Sequence, residues 1–245
     1  MNFRLLLTYD GSRYRGWQRL ADSDMTIQGK LEAVLSRMVG SSVEVIGSGR
    51  TDAGAHAVGQ VANFHCDTSL TCSQIKDYLK AYLPEDIGVV CVEQVNDRFH
   101  SRYHAVQKTY RYRIWNSDVP CVFERRYVWQ YDEKLDVDAM HEAAQLFLGE
   151  HDFLAYCSNK HFKKSSVRTI NSFTVERLGP EIVFTVTGDG FLYNMVRIMV
   201  GTLLKVGNGE MEAQRICEIF RTRVRENAGV TVPAKGLCLM EVMYQ

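Results

Sequence analysis

The chain has 245 residues, 46% of them hydrophobic, and 29 Lys and Arg balance 29 Asp and Glu at zero formal charge. That composition fills a sizeable core and excludes a disordered polymer; neutrality names no polyanion partner, so the distribution of charge carries the information. Seven scattered cysteines with no Cys-x-x-Cys pair argue against a zinc site and fit reduced thiols in a cytosol.

Met1 to Leu7 holds too short an apolar core for a signal peptide. Phe3 to Tyr9 reads as a strand, closed by the turn signal Asp10-Gly11-Ser12. In Arg13-Tyr14-Arg15-Gly16-Trp17-Gln18-Arg19, Arg13 and Arg15 are candidates to hold phosphates, with the aromatic faces taking unstacked bases. A solvated loop anchored by one buried Trp explains the same residues. Thr26 caps a helix that runs to about Met38. A strand through Val43, Val45 and Ile46 and another from Val58 to Phe64 flank Gly47-Ser48-Gly49-Arg50-Thr51-Asp52-Ala53-Gly54-Ala55-His56-Ala57. Small residues there let the backbone turn tightly and let a ligand approach Arg50 and Asp52. The spacing is not that of a P-loop, and Asp52 with His56 supplies only two possible metal ligands. A turn in which Asp52 bonds its own backbone is the plain alternative.

Ser73 opens a second helix closed by Pro84, and Ile87 to Val95 reads as a largely apolar, doubly buried strand. Strand-helix-strand-strand-helix-strand is a ferredoxin-like or RRM-like order. Arg98 to Asn116 holds five Lys/Arg, two His and no acid. From Thr109 it alternates, with Tyr110, Tyr112 and Ile114 on one face and Arg111 and Arg113 on the other. Uncompensated charge at that density favours a polyanion-contact surface over a merely solvated strand. Acidic residues gather around the helix of Val137, Met140, Ala144 and Phe147 and belong on a solvent face. Lys160 to Arg168 is basic again and reads as a loop able to close over RNA.

Val167 to Arg177 and Ile182 to Thr187 form a hairpin. Phe191 to Leu204 reads as a helix buried almost all round, with Arg197 in its middle; it is too short to span a membrane. A buried guanidinium needs a carboxylate or phosphate partner unless it snorkels out. Glu210 to Val224 is an amphipathic helix, and Leu237 to Tyr244 a closing strand. The second half thus repeats the first in element order. The expected fold is α+β, with two ferredoxin/RRM-like halves (1–103 and 104–245) sharing a mixed, mainly antiparallel sheet with a central cleft.

Seven segments, in order along nearly the whole chain, resemble one family, the tRNA pseudouridine synthase A family. They are Tyr9-Asp10-Gly11 with Gly16-Trp17-Gln18, Gly49-Arg50-Thr51-Asp52-Ala53-Gly54-x-His56-Ala57, Lys108-Thr109-Tyr110-Arg111-Tyr112, His151-Asp152-Phe153, Phe191-Leu192-Tyr193-x-Met195-Val196-Arg197, Gly201-Thr202-Leu203-Leu204, and Pro233-Ala234-x-Gly236-Leu237. Ala55 stands where such loops more often look like Val, and Asn194 where His is common; neither departure touches the expected chemistry. The resemblance implies a pseudouridine-synthase fold, a cytoplasmic homodimer and no cofactor. It implies a tRNA substrate with target uridines in the anticodon stem-loop, family positions 38–40. It also implies Asp52 as the nucleophile and Tyr110 as the contact to the target base.

The residues agree with that chemistry. Isomerisation breaks N1–C1′, turns the base and forms C5–C1′, without metal or redox step. A carboxylate can attack a carbon, stabilise positive charge at C1′ or abstract a proton, and all three stay open for Asp52. Arg197 paired with Asp52 would keep it ionised and aimed. Tyr110 would stack on the uracil. Arg50, Arg13, Arg15 and Lys108 would hold the substrate, and Leu237 would form an apolar wall. A non-catalytic RNA-binding protein and a metal-dependent phosphoesterase using Asp52 and His56 are the rival readings.

Overall fold

The computed structural model describes residues 1–159 and 165–245, so most of the basic loop expected to close over RNA, Lys160 to Lys164, lies outside the described residues. The chain forms two compact units, Met1–Val106 with Cys238–Gln245, and Gln107–Leu237. The sequence reading gave everything after 104 to the second half; instead the final strand returns to the first unit.

The first unit runs β1 (Asn2–Tyr9), α1 (Ile27–Val39), β2 (Val45–Gly47), β3 (His56–His65), α2 (Cys72–Tyr82) and β4 (Ile87–Val95). β1 lies between β3 and β4, antiparallel to both, and β2 pairs antiparallel with the C-terminal half of β3. This 4-1-3-2 order is the ferredoxin-like arrangement. Alternation along β1 buries Phe3, Leu5 and Leu7. Thr26 accepts from Gly29 N–H to start α1, and a Thr71–Gln74 capping box starts α2 one residue before the expected Ser73. β4 is not doubly buried: it ends the strand order, and only Ile87 and Val92 are fully covered.

The second unit contains β5 (Ala105–Trp115), β6 (Trp129–Gln130), α3 (Val137–Ala144), β7 (Gly149–Asp152), β8 (Val167–Leu178), β9 (Glu181–Gly188), α4 (Met195–Gly207) and α5 (Arg215–Thr222). Its strands run β5-β9-β8-β7, antiparallel throughout, with β6 parallel on β5. β5 buries Tyr110, Tyr112 and Ile114 and turns Arg111 and Arg113 to the other face. Arg113 is compensated, however, by Glu181 at 2.6 Å and Glu124 at 3.2 Å, which weakens the polyanion reading at that position. α4 is buried except at Arg197 and Lys205.

Two helix limits differ from expectation. α4 begins at Met195 because Asn194 adopts a left-handed φ of 62°, so Arg197 stands in the first turn rather than mid-helix. α5 is confined to eight residues and ends where Arg223 takes φ 56°. β10 (Leu237–Tyr244) closes the chain and pairs parallel with the start of β3, Cys238 opposite His56 and Leu239 opposite Ala57. The fold is α+β, with mixed, mainly antiparallel strand pairing.

Candidate active site

In the first unit the site is the connection from β2 to β3. Ala55 N–H donates to the Asp52 carbonyl at 3.1 Å, closing a turn over Ala53 and Gly54. Gly54 has φ 79°, the sign that the third position of a type II turn requires and glycine adopts freely. Asp52 opens this turn half-buried, and Arg50, two residues earlier, is exposed.

The turn is pinned from two sides. The segment after β1 lies along it: Trp17 N–H donates to the Thr51 carbonyl (3.0 Å) and Gly54 N–H to the Tyr14 carbonyl (3.3 Å). Between them Gly16, at φ 98°, comes so close that a Cβ would stand 2.8 Å from the Thr51 carbonyl oxygen. Beneath the turn is a buried polar network. The Tyr9 hydroxyl bonds Thr51 Oγ1 at 2.8 Å. Gln60 donates to the Gly49 carbonyl at 3.1 Å and accepts from Ser48 Oγ at 2.7 Å. Burial pushes the Tyr9 phenol well above its ordinary pKa, so it remains a neutral hydroxyl at working pH. Since buried polar groups are costly unless paired, this network fixes the loop backbone rather than leaving it to solvent.

Of the two readings open for the run from Arg13 to Arg19, the buried Trp anchor fits the fold and the stacking faces do not. Tyr14 and Trp17 are both buried core residues, at 3% and 2% exposure, and the Tyr14 hydroxyl is bonded to Asp86. These rings anchor the segment beneath Asp52. Arg13 and Arg15 remain exposed beside it, with Asp86 3.1 Å from Arg13 and Asp22 3.3 Å from Arg15. The Arg15–Asp22 pair is exposed on both sides and weak, whereas Asp86 is largely covered. Arg19 goes elsewhere: it meets the buried Glu32 of α1 at 2.7 Å, within a network that also ties Gln28 to the Val45 carbonyl. His56 directs Nδ1 at Gly11 N–H (3.1 Å), with an Asp10 carboxylate oxygen 3.2 Å from the same nitrogen. Among the described residues no group of three His, Cys, Asp or Glu could hold a metal ion.

In the second unit Tyr110 and Lys108 sit on β5, Tyr110 opposite Val186 and Lys108 opposite Gly188. Tyr110 is 8% exposed, and its ring stands at 83° to that of Phe191 with centroids 5.1 Å apart. Arg197 is half-buried; its Nε donates to the Val232 carbonyl (2.7 Å) and Nη1 to Asn194 Oδ1 (2.9 Å). Leu237, 6% exposed, begins β10. The sequence reading passed over Phe191 as a neighbour of Tyr110 and set Asn194 aside. The signal at Asn194 was a short polar residue directly before an apolar helical run.

Known relatives match nearly the whole chain, and a family profile matches two long stretches of it. Residues 6–104 and 143–245 match the family profile described as tRNA pseudouridine synthase. Over 243 residues, 99% of each chain, the protein is 51% identical to tRNA pseudouridine synthase A of Bacillus sp. (strain KSM-64). Over the same shares it is 46% identical to tRNA pseudouridine synthase A 2 of Bacillus anthracis and 43% identical to tRNA pseudouridine synthase A of Acetivibrio thermocellus.

Proposed function

The chain belongs to the tRNA pseudouridine synthase A family and is a tRNA pseudouridine synthase, an isomerase; from that premise we propose which residues do the work and which uridines they reach. Asp52 is the nucleophile. The observation that carries this is its setting: a half-buried carboxylate opening a turn that backbone bonds and a buried polar network hold still. Preorganisation of that kind is what a reacting group needs. Tyr110 packs its ring on the target uracil, and Leu237 walls the base pocket. Arg197 acts in the reaction as its cationic group. Arg50 holds the extruded nucleotide or fills the place it leaves, while Arg13, Arg15 and Lys108 bind backbone phosphates.

The substrate is the anticodon stem-loop of tRNA at positions 38–40. Extruding a uridine from the stem costs a few kcal/mol, and the phosphate contacts offset it. The reaction needs nothing beyond the substrate: N1–C1′ breaks, the base turns, C5 bonds to C1′, and the proton lost from C5 balances the one gained at N1. The enzyme works in the cytoplasm as a homodimer. Reacting unmodified tRNA with the enzyme and mapping carbodiimide-blocked pseudouridines by primer extension tests the target. Stops confined to the anticodon stem-loop are expected; stops only in another arm would refute that assignment.

A further inference from the structure

We propose that Asn194 is a positioning residue that sets the direction of the Arg197 guanidinium, using its backbone and its side chain for separate tasks. The inference rests on Arg197 acting in the reaction as assigned above.

The geometry is confined to the second unit. Asn194 takes φ 62°, one of two non-glycine residues with positive φ among the described residues. Asn tolerates that region better than most residues, but at some cost. It precedes α4 in the capping position, yet its side chain caps nothing. The amide is used elsewhere: Oδ1 accepts from Arg197 Nη1 at 2.9 Å, and Nδ2 donates to Ser158 Oγ at 3.0 Å. A residue that gives up its usual cap bond in a strained conformation points to a site requirement rather than to helix stability.

A second support of the guanidinium is equally fixed. Arg197 Nε donates to the Val232 carbonyl at 2.7 Å. The chain around Val232 is tied down on both sides. Before it, Gly229 N–H donates to Thr202 Oγ1 (2.8 Å), and Arg225 reaches the Gly229 carbonyl and Thr231 Oγ1. After it, the Tyr112 hydroxyl donates to the Pro233 carbonyl at 2.6 Å. Arg197 is thus gripped at Nε by a backbone oxygen and at Nη1 by a side-chain oxygen. Two supports on one planar, rigid fork define its direction. Removing the amide takes away the Nη1 bond that helps to turn the fork to one direction.

The test separates side chain from backbone. Asn194→Gly accepts the positive φ and removes only the amide, whereas Asn194→Asp keeps an oxygen for Nη1. Single-turnover isomerisation, tRNA affinity and thermal midpoint are measured for both, for Arg197→Lys and for the double variant Asn194→Gly/Arg197→Lys. Misplaced reacting groups cost about 100-fold in rate, so Asn194→Gly slows the chemical step by roughly 10- to 100-fold with tRNA affinity within about twofold. Asn194→Asp recovers most of that loss. The double variant is no slower than Arg197→Lys alone, because a residue acting through Arg197 has nothing left to position. Full rate in Asn194→Gly with a slow Arg197→Lys overturns this inference alone. Full rate in Arg197→Lys removes the role of Arg197 and this inference with it. Multiplying losses in the double variant, or a lowered midpoint that accounts for the slow rate, assigns Asn194 a purely structural part and overturns it too.

Discussion

At the scale of single residues, fixed geometry separates groups that look equivalent in the sequence. Arg13, Arg15 and Arg19 share one short run and are comparably exposed, yet their partners differ: Arg15 meets an exposed aspartate, Arg13 a largely covered one and Arg19 a buried glutamate of α1. Tyr14 and Trp17, which the sequence left open between base-stacking faces and a buried anchor, are core. Tyr110 is the aromatic residue to which we assign base contact; its ring stands at 83° to that of Phe191, with centroids 5.1 Å apart. If its hydroxyl also relays the C5 proton, Tyr110→Phe keeps tRNA affinity and lowers turnover about 100-fold, the lower end of what general acid–base catalysis contributes. Unchanged turnover in single-turnover assays would leave only the stacking role.

At the scale of the element, the Asp52 turn is held by what lies under and beside it. Tyr9→Phe removes the bond to Thr51 Oγ1 and should cost about 1 kcal/mol of stability, read as a lowered denaturant midpoint. Gly16→Ala acts more strongly, because it adds a side chain at φ 98° against the Thr51 carbonyl. Strain of about 1–2 kcal/mol is expected from backbone conformation alone, with turnover falling further than stability because the displaced backbone carries Asp52. An active Gly16→Ala enzyme of normal midpoint would show that the close approach is unimportant. The strands and α1 were legible because alternation and Thr26 capping are local signals. The bounds of α4 and α5 were not, since both depend on a non-glycine residue adopting positive φ, which no local pattern announces. The loop itself was legible from its glycines, whereas the Tyr9–Thr51 and Ser48–Gln60 bonds that hold it join residues distant in sequence.

For the molecule as a whole, a neutral chain binds a polyanion through local patches. Arg13→Ala, Arg15→Ala and Arg50→Ala should each weaken tRNA binding and reduce the slope of log affinity against log salt by about 1. Filter binding across a salt series reads this directly, and an unaltered slope would free those residues from phosphate. Arg113 is the control: held by two glutamates, it should leave the slope unchanged. The return of Cys238–Gln245 to the first unit was hidden from the sequence, since a strand's pattern does not name its neighbour. Homodimerisation is checked by light scattering at assay concentration, where a monomer of full activity would remove it.

The most direct measurement is tritium release from tRNA labelled at uridine C5, comparing wild type with Asp52→Asn at matched tRNA saturation. Release by the wild type and none by the variant, with tRNA binding retained, is the expected result and places Asp52 at the reacting centre. Release by Asp52→Asn at the wild-type rate would contradict the account, because the carboxylate that the loop carries would then take no part in the chemistry.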